Sequence, residues 1–289
     1  INMADKRKVN AAKGESLLQR MERVTGALAG NKATEAQQLV YDSWEAADSD
    51  DAFALLAKAV ELDPCNVDAW MGLLQFERLE SEEEIAFLRR LVALGEKSLG
   101  EKTFREAKGI FWGLFETRPY MRARNRLAFC LRDAGRLEES VFEHEGMLEL
   151  NPNDNQGMRY GLLSLYLESD NLAGADRLFK RYDELKFSTV FAWGHVLSLY
   201  LAGDVKGAEK ALRQARKQNA HAEGYFSGLK RLPPRIPDRY STGSVEEAVI
   251  AWEIMAPAWE RHPAAQAWLR GRRAVQKRKE AAGIARNGR

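Results

Sequence analysis

Short runs of apolar residues, spaced three and four positions apart and separated by breaks, extend along most of this chain. The most regular example covers residues 120–152, where Leu127 and Leu131 precede Gly135 and a second periodic run ends at Pro152. This spacing places apolar side chains on one face of an α-helix. Glycine gives the backbone freedom for a tight turn, and proline stops a helix. The pattern therefore predicts a helical hairpin over residues 120–152.

The same pattern recurs on both sides of this hairpin. It covers residues 52–64, 67–79, 154–185 and 189–219. A single hairpin cannot bury its own apolar stripe, so hairpins of this kind must stack on one another. Gly135 and Gly203 are 68 positions apart, which is twice the roughly 34 residues of a tetratricopeptide repeat. We therefore predict one repeat array that forms a single domain.

Individual residues in these hairpins match the tetratricopeptide pattern of aromatic, leucine and small residues in the first helix and alanine, aromatic and proline in the second. The matching positions are Ala52, Leu56, Ala59, Pro64, Trp70, Leu73, Trp193, Tyr200, Ala208, Leu212 and Ala215. The chain thus resembles the tetratricopeptide family. The resemblance implies an all-α fold, a right-handed superhelical α-solenoid of helical hairpins with N- and C-terminal capping helices. Residues 82–97 and 102–117 are predicted to form two helices. Strict alternation of first and second helices would need either one helix or three helices in this stretch.

Three short segments in the second half of the chain, residues 116–124, 151–160 and 219–221, precede Tyr225 and a proline-rich strip. This combination is similar to bacterial tetratricopeptide proteins related to the suppression-of-tumorigenicity-seven family. That family tends to have Asn-Pro-His where this chain has alanine, Ala220, at the middle position. The resemblance implies no enzymatic activity.

Periodicity and composition divide the chain into five predicted regions. They are a disordered N-terminus (1–14), an N-terminal capping helix (15–32), the repeat array (33–219, irregular at 80–120), a proline-rich strip with C-terminal capping helices (220–269) and a basic tail (270–289). Three prolines between residues 230 and 240 exclude a regular helix there. Trp252 and Trp259, seven positions apart, indicate a later helix that Pro257 bends or splits.

The composition is that of a folded, water-soluble chain, with 45% apolar and 30% charged residues. No run approaches the roughly 20 apolar residues of a membrane-spanning helix. The basic amino-terminal stretch has no apolar run behind it, so no secretory signal is expected. Cys65 and Cys130 are the only cysteines, which indicates packing roles in a reducing compartment. We therefore expect a cytoplasmic protein.

The formal net charge of +2 is unevenly distributed. Residues 270–289 carry eight Lys or Arg and one Glu, a net of +7, which leaves −5 on the remaining residues. A basic tail can hold nucleic acid through phosphate contacts. The candidate residues are Arg270, Arg272, Arg273, Lys277, Arg278 and Lys279. The alternative is a solvated end, because no aromatic residue follows Trp268 to stack on bases.

The sequence contains no catalytic, cofactor-binding or metal-binding pattern above background. None of the four histidines has a second His or Cys at metal-ligand spacing, and no glycine-rich phosphate loop is present. His144, between Glu143 and Glu145, is expected at the surface or at a helix cap. The aromatic cluster at residues 111–120 is expected to pack in the core, with an exposed aromatic wall for a partner as the alternative.

In repeat proteins the first helices of stacked hairpins form a concave wall that binds peptides. The predicted groove residues at helical spacing are Arg122, Asn125, Phe129, Arg132, Gln156, Arg159 and Tyr166. Arginine and asparagine suit an acidic or carboxylate-ended protein segment, and the resemblance implies this role for such residues on first helices. The alternative is that the arginines pair with acids on adjacent helices, such as Asp133 and Glu139. The sequence therefore predicts a non-enzymatic scaffold without cofactors that binds a protein segment, or alternatively a nucleic-acid-associated protein.

Overall fold

A computed structural model of the chain describes residues 17, 21 and 32–274. These residues form helices joined by turns and loops, and no strand occurs among them. The predicted all-α class is therefore confirmed. The chain divides into two compact units, unit 1 (Ile1–Gln156) and unit 2 (Gly157–Arg289). The boundary between the units falls inside the range predicted as one repeat array.

Unit 1 is built from consecutive helices that pack as neighbours. They are α1 (Ala33–Trp44), α2 (Ser49–Leu62), α3 (Val67–Leu74), α4 (Ser81–Glu106), α5 (Arg118–Asp133) and α6 (Leu137–Leu150), with a 3-10 turn at Phe111–Gly113 between α4 and α5. Helices α1 and α2, α3 and α4, and α5 and α6 form contacting pairs. The first helices also touch in sequence, α1 with α3 and α3 with α5. The hairpin predicted at residues 120–152 is confirmed as α5 and α6.

The irregular stretch between residues 80 and 120 contains two consecutive helical segments, residues 81–99 and 101–106, which together make up α4. Helix α4 covers it as far as Glu106, with a kink at Gly100, whose φ of 71° is left-handed. The predicted division into two helices is confirmed, but the second helix ends at Glu106 and not at residue 117. After Glu106 the chain makes the 3-10 turn and reaches Thr117 as the N-cap of α5. With residues 101–106 counted as the end of α4, first and second helices alternate along unit 1.

Large aromatic side chains fill the core of unit 1. Trp70 is fully buried, and its indole N–H donates to the Pro64 carbonyl at 2.9 Å. Phe111 and Tyr120 are buried as well, as expected for the cluster at residues 111–120. Phe115 departs from that expectation, because 73% of it is exposed. Burying the other rings excludes much apolar surface from water and stabilises the packing of α3, α4 and α5.

Unit 2 begins with α7 (Met158–Glu168), α8 (Leu172–Arg181), α9 (Thr189–Leu201) and α10 (Val205–Gln218). It continues with the short α11 (Glu223–Phe226), α12 (Val245–Arg261) and a helical stretch at residues 263–274. Helices α7 and α8 pack together, as do α9 and α10, and α12 covers α7 and α9. Gly203 has a φ of 79°, as the predicted turn between α9 and α10 requires. Helix α12 is unbroken at Pro257, so the predicted split is absent.

A buried carboxylate joins three helices of unit 2. Glu247 is 5% exposed. Its side chain accepts hydrogen bonds from the backbone N–H groups of Thr189 at 3.0 Å and Gly243 at 2.6 Å. It also accepts from the side-chain amides of Gln218 at 3.1 Å and Asn219 at 3.3 Å. These bonds tie the start of α12 to the start of α9 and the end of α10.

The predicted terminal regions are only partly described. Leu17 and Met21, in the predicted N-terminal capping helix, are helical and buried. Residues 1–16, 18–20, 22–31 and 275–289 lie outside the described residues. Trp252 and Trp259, predicted to pack in the C-terminal cap, are both buried.

Candidate functional site

Arg122, the first residue of the predicted groove, is paired with a buried carboxylate. Its Nε donates to Oδ1 of Asp68 at 2.9 Å, and its Nη2 binds Oδ2 of the same side chain. The Asp68 side chain is only 3% exposed and also accepts from Nε2 of Gln37 at 3.3 Å. This bidentate pair neutralises the charge of Arg122. Arg122 is therefore paired with an acid, as in the alternative stated above, but its partner is Asp68 and not Asp133 or Glu139.

Arg159, the predicted cation of unit 2, is also engaged. Its Nε donates to Oε1 of Glu184 at 2.7 Å, and its Nη2 donates to the Tyr160 hydroxyl at 2.7 Å. That hydroxyl donates to the other carboxylate oxygen of Glu184 at 2.7 Å. Burial and the neighbouring carboxylate raise the pKa of Tyr160 above its usual range. Arg159 therefore holds α7 to the segment after α8 and is not free to bind a partner.

The remaining predicted groove residues have different environments. Asn125 and Arg132 are half-buried on α5. Gln156 donates from Nε2 to the Met121 carbonyl at 3.4 Å. Tyr166 is 3% exposed and packs in the interior of unit 2. Tyr166 is thus a core residue, and the surface candidates are those on α5.

Phe129 packs on His144, whose predicted position at the surface or at a helix cap is wrong. Phe129 is 37% exposed, and its ring lies edge-on to His144 with centroids 5.5 Å apart. His144 was expected at the surface or at a cap, but it is fully buried, on the same face of α6 as Ser140 and Met147. Its Nδ1 donates to the Ser140 carbonyl at 2.8 Å. Burial lowers the pKa of His144 to about 4, so the imidazole is neutral at pH 7.

An arginine that the sequence analysis does not single out is presented between two aromatic rings. The Arg118 guanidinium carbon lies 4.3 Å from the ring centre of Phe115 and 5.4 Å from that of Trp112. Its Nε donates to the Trp112 carbonyl at 2.9 Å. Within residues 32–274 no carboxylate forms an ion pair with Arg118, and neither Nη atom has a hydrogen-bond acceptor. Arg118 therefore presents a charged group that is held in place but not neutralised there.

Arg118 belongs to the predicted stripe of α5. The positions Arg118, Arg122, Asn125, Phe129 and Arg132 are spaced four, three, four and three residues apart. At about 100° per residue they lie within roughly 80° of arc on one face of the helix. The i, i+4 spacing from Arg122 is the sequence signal that could have identified Arg118.

Two exposed aromatic side chains of α1 lie beside Arg122. Trp44 is 60% exposed and Tyr41 is 40% exposed, with their ring centroids 5.1 Å apart. The guanidinium carbon of Arg122 lies 5.9 Å from the Trp44 ring centre. Because exposed aromatic clusters are typical of interaction surfaces, α1 adds an apolar area next to the α5 stripe.

The described part of the basic tail packs against unit 2. Arg270 donates from Nη1 to the Ser227 carbonyl at 3.1 Å, and Arg272 pairs with Glu209 at 2.8 Å. Arg273 is half-buried in the same helical stretch. The other nucleic-acid candidates of the tail lie outside the described residues: Lys277, Arg278 and Lys279. Two of the three described tail arginines thus have protein partners.

Reactive side chains are sparse in the described residues. Among them, no group of three or more His, Cys, Asp or Glu side chains is arranged to hold a metal ion. The Cys130 thiol donates to Oε1 of Glu84 at 3.3 Å. Burial and this carboxylate raise the pKa of Cys130 to about 12, so it remains a thiol. Burial also raises the pKa of Cys65, and neither cysteine forms a disulfide.

A scan against protein-family models and a search of the curated proteins found no match. Within the described residues, none of the helices has the length and apolar character needed to cross a bilayer.

Proposed function

We propose that this protein is a non-enzymatic, cytoplasmic scaffold of the tetratricopeptide type, similar to bacterial relatives of the suppression-of-tumorigenicity-seven family. In this proposal its hairpins stack as a right-handed α-solenoid. The contacts of α1 with α3 and α3 with α5 in unit 1, and of α7 with α9 in unit 2, support the proposal. Sequential packing of first helices is what such repeats require.

The proposed binding face is the α5 stripe together with the aromatic side chains around Arg118. The observation behind it is the Arg118 guanidinium, which is held between Phe115 and Trp112 without a carboxylate partner within residues 32–274. A guanidinium fixed in this way loses little conformational entropy on binding. Its two Nη atoms can donate bidentate, charge-assisted bonds to a carboxylate. Arg122 cannot serve in the same way because Asp68 already takes its donors.

The side chains around Arg118 define the chemistry of the partner segment. Phe115 is 73% exposed, and Ile110, the N-cap of the 3-10 turn that carries Trp112, is 57% exposed. Apolar surface of this kind favours burial under another apolar side chain. The best fit is a protein segment that places an apolar residue next to a terminal carboxylate or an acidic side chain. A hydrogen bond to a charged group contributes roughly 1.5–3 kcal/mol, or about 10- to 100-fold in affinity.

An array of short peptides tests the proposal, with each sequence present as a free acid and as an amide. We expect the full chain to prefer apolar sequences with a free carboxylate, and Arg118→Gln to weaken their binding at least about tenfold. The matched control is Arg126→Gln, since Arg126 is on the same helix, is 55% exposed in its side chain and pairs with Glu84. Equal binding of acids and amides, or an unchanged array with Arg118→Gln, would contradict the proposal.

A further inference from the structure

The outer face of α10 carries a line of four exposed cations. They are Lys206, Lys210, Arg213 and Lys217. Their spacings of four, three and four place them within about 60° of arc along the helix. The opposite face is buried in the core of unit 2 through Ala208, Leu212 and Ala215. Packing thus fixes the helix and directs the four cations, the α10 stripe, toward solvent.

Acids among the described residues do not neutralise the α10 stripe. Neither its lysines nor its arginine form an ion pair with a carboxylate within residues 32–274. Glu209 lies beside the stripe on α10, but it pairs with Arg272 at 2.8 Å. Like charges at i, i+4 destabilise a helix by a few tenths of a kcal/mol for each pair. The stripe therefore does not stabilise the fold and is available to an anionic partner.

The described part of unit 2 carries a net positive charge, most of it from the α10 stripe itself. Residues 157–274 contain 18 Lys or Arg and 13 Asp or Glu, a net of +5, whereas residues 32–156 of unit 1 contain 15 and 25, a net of −10. A positive unit with a concentrated line of cations attracts polyanions over distances of about a Debye length. The phosphate backbone of nucleic acid is the polyanion with regularly spaced charges.

We propose that the α10 stripe binds the phosphate backbone of double-stranded nucleic acid. At about 1.5 Å per residue, Lys206 and Lys217 are roughly 16 Å apart along the helix axis. That length matches about five phosphates of one strand at 3.4 Å each. Contacts from Lys and Arg to phosphate carry no sequence information, so binding is independent of sequence.

Other anionic partners fit this face less well. Val205, at 39%, is the only large apolar side chain of α10 that is exposed, so this helix has too little apolar surface to insert into a lipid surface. The same segment has no aromatic residue, and single-stranded nucleic acid is held largely by stacking on aromatic rings. A duplex, which presents only phosphates to such a face, is the partner that the side chains favour.

Fluorescence anisotropy of a labelled 20-bp DNA duplex with the full chain, at several salt concentrations, tests this proposal. The test variant combines Lys206→Gln, Lys210→Gln, Arg213→Gln and Lys217→Gln. The control removes four other exposed cations of unit 2 by Arg177→Gln, Lys186→Gln, Arg231→Gln and Arg239→Gln, with the same change in net charge. We expect the test variant to bind at least about tenfold more weakly at 50 mM salt. We also expect the slope of log affinity against log salt to fall by about 3 to 4, with little change in the control.

Further probes separate the sources of phosphate. An RNA duplex of the same sequence distinguishes A-form from B-form backbones, and binding to either duplex supports the proposal. Equal effects of test and control variants would overturn it, because net charge alone would then explain binding. Tighter binding to the single strand, or binding to phosphatidylserine vesicles without binding to a duplex, would also overturn it. A further variant combines Lys277→Gln, Arg278→Gln and Lys279→Gln. If its binding no longer depends on salt, the tail and not the α10 stripe binds the duplex.

Discussion

Both units of the molecule bury a carboxylate among helix ends or first helices, Asp68 in unit 1 and Glu247 in unit 2, and these two carboxylates are satisfied in different ways. Asp68 in unit 1 is 4% exposed and binds a cation, Arg122. Glu247 in unit 2 is 5% exposed and accepts from neutral donors, including the Thr189 backbone and the Gln218 amide. Unit 1 thereby neutralises a cation on its proposed binding face, whereas in the described part of unit 2 no cation is used to neutralise Glu247 and the cations of α10 lie at the surface.

This difference shows that a cation at helical spacing is not by itself a binding residue. A buried carboxylate needs either a counter-ion or several oriented dipoles. A carboxylate that is satisfied by a counter-ion occupies an arginine or lysine, whereas one that is satisfied by dipoles leaves these cations available to a partner. On α5 the outcome changes within one turn, because Arg122 is neutralised by Asp68 while Arg118 has no carboxylate partner in the described part of the chain.

The largest predicted effect concerns Glu247. Glu247→Ala leaves the N–H groups of Thr189 and Gly243 and the amides of Gln218 and Asn219 without their acceptor, so we expect a loss of about 4 kcal/mol in the unfolding free energy. Urea unfolding of the full chain, followed by tryptophan fluorescence, measures it.

The matched control is Glu253→Ala, an exposed acid on the same helix, for which we expect a change of less than about 0.5 kcal/mol. If the two variants lose similar stability, Glu247 does not hold the ends of α9, α10 and α12 together.

The second prediction concerns the ion pair in unit 1. Asp68→Ala leaves Arg122 without its counter-ion, and we expect a loss of about 3 kcal/mol in urea unfolding. The double variant Asp68→Ala/Arg122→Met is expected to recover part of this loss because it leaves no unpaired charge.

The exposed pair of Lys180 and Asp176 provides the comparison, since Asp176→Ala is expected to cost less than about 0.5 kcal/mol. A cost for Asp68→Ala no larger than this would mean that Arg122 is available to partners after all.

The third prediction is a pH dependence from His144 behind the α5 stripe. Its pKa is about 4 when folded, against 6.5 for a free histidine, so the unfolded chain binds the extra proton between these values. The contribution of neutral His144 to the unfolding free energy is therefore fully present above about pH 6.5, and it is lost as the pH drops toward 4. Linkage gives a loss of about 2 kcal/mol between pH 7.5 and 5. Urea unfolding of the wild type and of His144→Gln over this range isolates the effect, and parallel curves would contradict a buried, neutral His144.

The smallest predicted effect is a gain in stability and not a loss. Replacing the four cations of the α10 stripe by glutamine removes like-charge pairs, so we expect unit 2 to gain about 0.5 kcal/mol at low salt and nothing at high salt. Thermal unfolding at two salt concentrations checks this prediction. A loss of stability would show that the α10 stripe, like Arg122, is held by structural contacts.

Much of the helical framework could be predicted from local patterns. The turns at Gly135 and Gly203 have left-handed φ values of 74° and 79°, and both are indicated by a glycine between periodic apolar runs. The break at Gly100 falls between the two helices predicted at residues 82–97 and 102–117, so it was indicated as well. The turn at Phe111–Gly113 is preceded by Gly109, whose φ of 94° is left-handed. A single glycine inside an apolar periodic run is also tolerated within a helix, so the helix predicted at residues 102–117 was too long.

The candidate site was less predictable because its electrostatics are set by tertiary contacts. Spacing placed Arg122 and Phe129 on one face of α5, but the acid that neutralises Arg122 lies 54 residues away. The position of Arg118 depends on the 3-10 turn that brings Trp112 and Phe115 to it. Neither relation leaves a periodic trace in the sequence.

The most direct test of the proposed binding face is the thermodynamic coupling between Arg118 and a partner's carboxylate. Isothermal titration calorimetry of wild type and Arg118→Gln, each with the free-acid and amidated forms of the tightest array peptide, completes a double-mutant cycle. We predict a coupling energy of about 2 kcal/mol, because the carboxylate gains its bidentate bonds only when Arg118 is present. A coupling energy near zero, with both peptides bound equally by both proteins, would contradict the proposed role of Arg118.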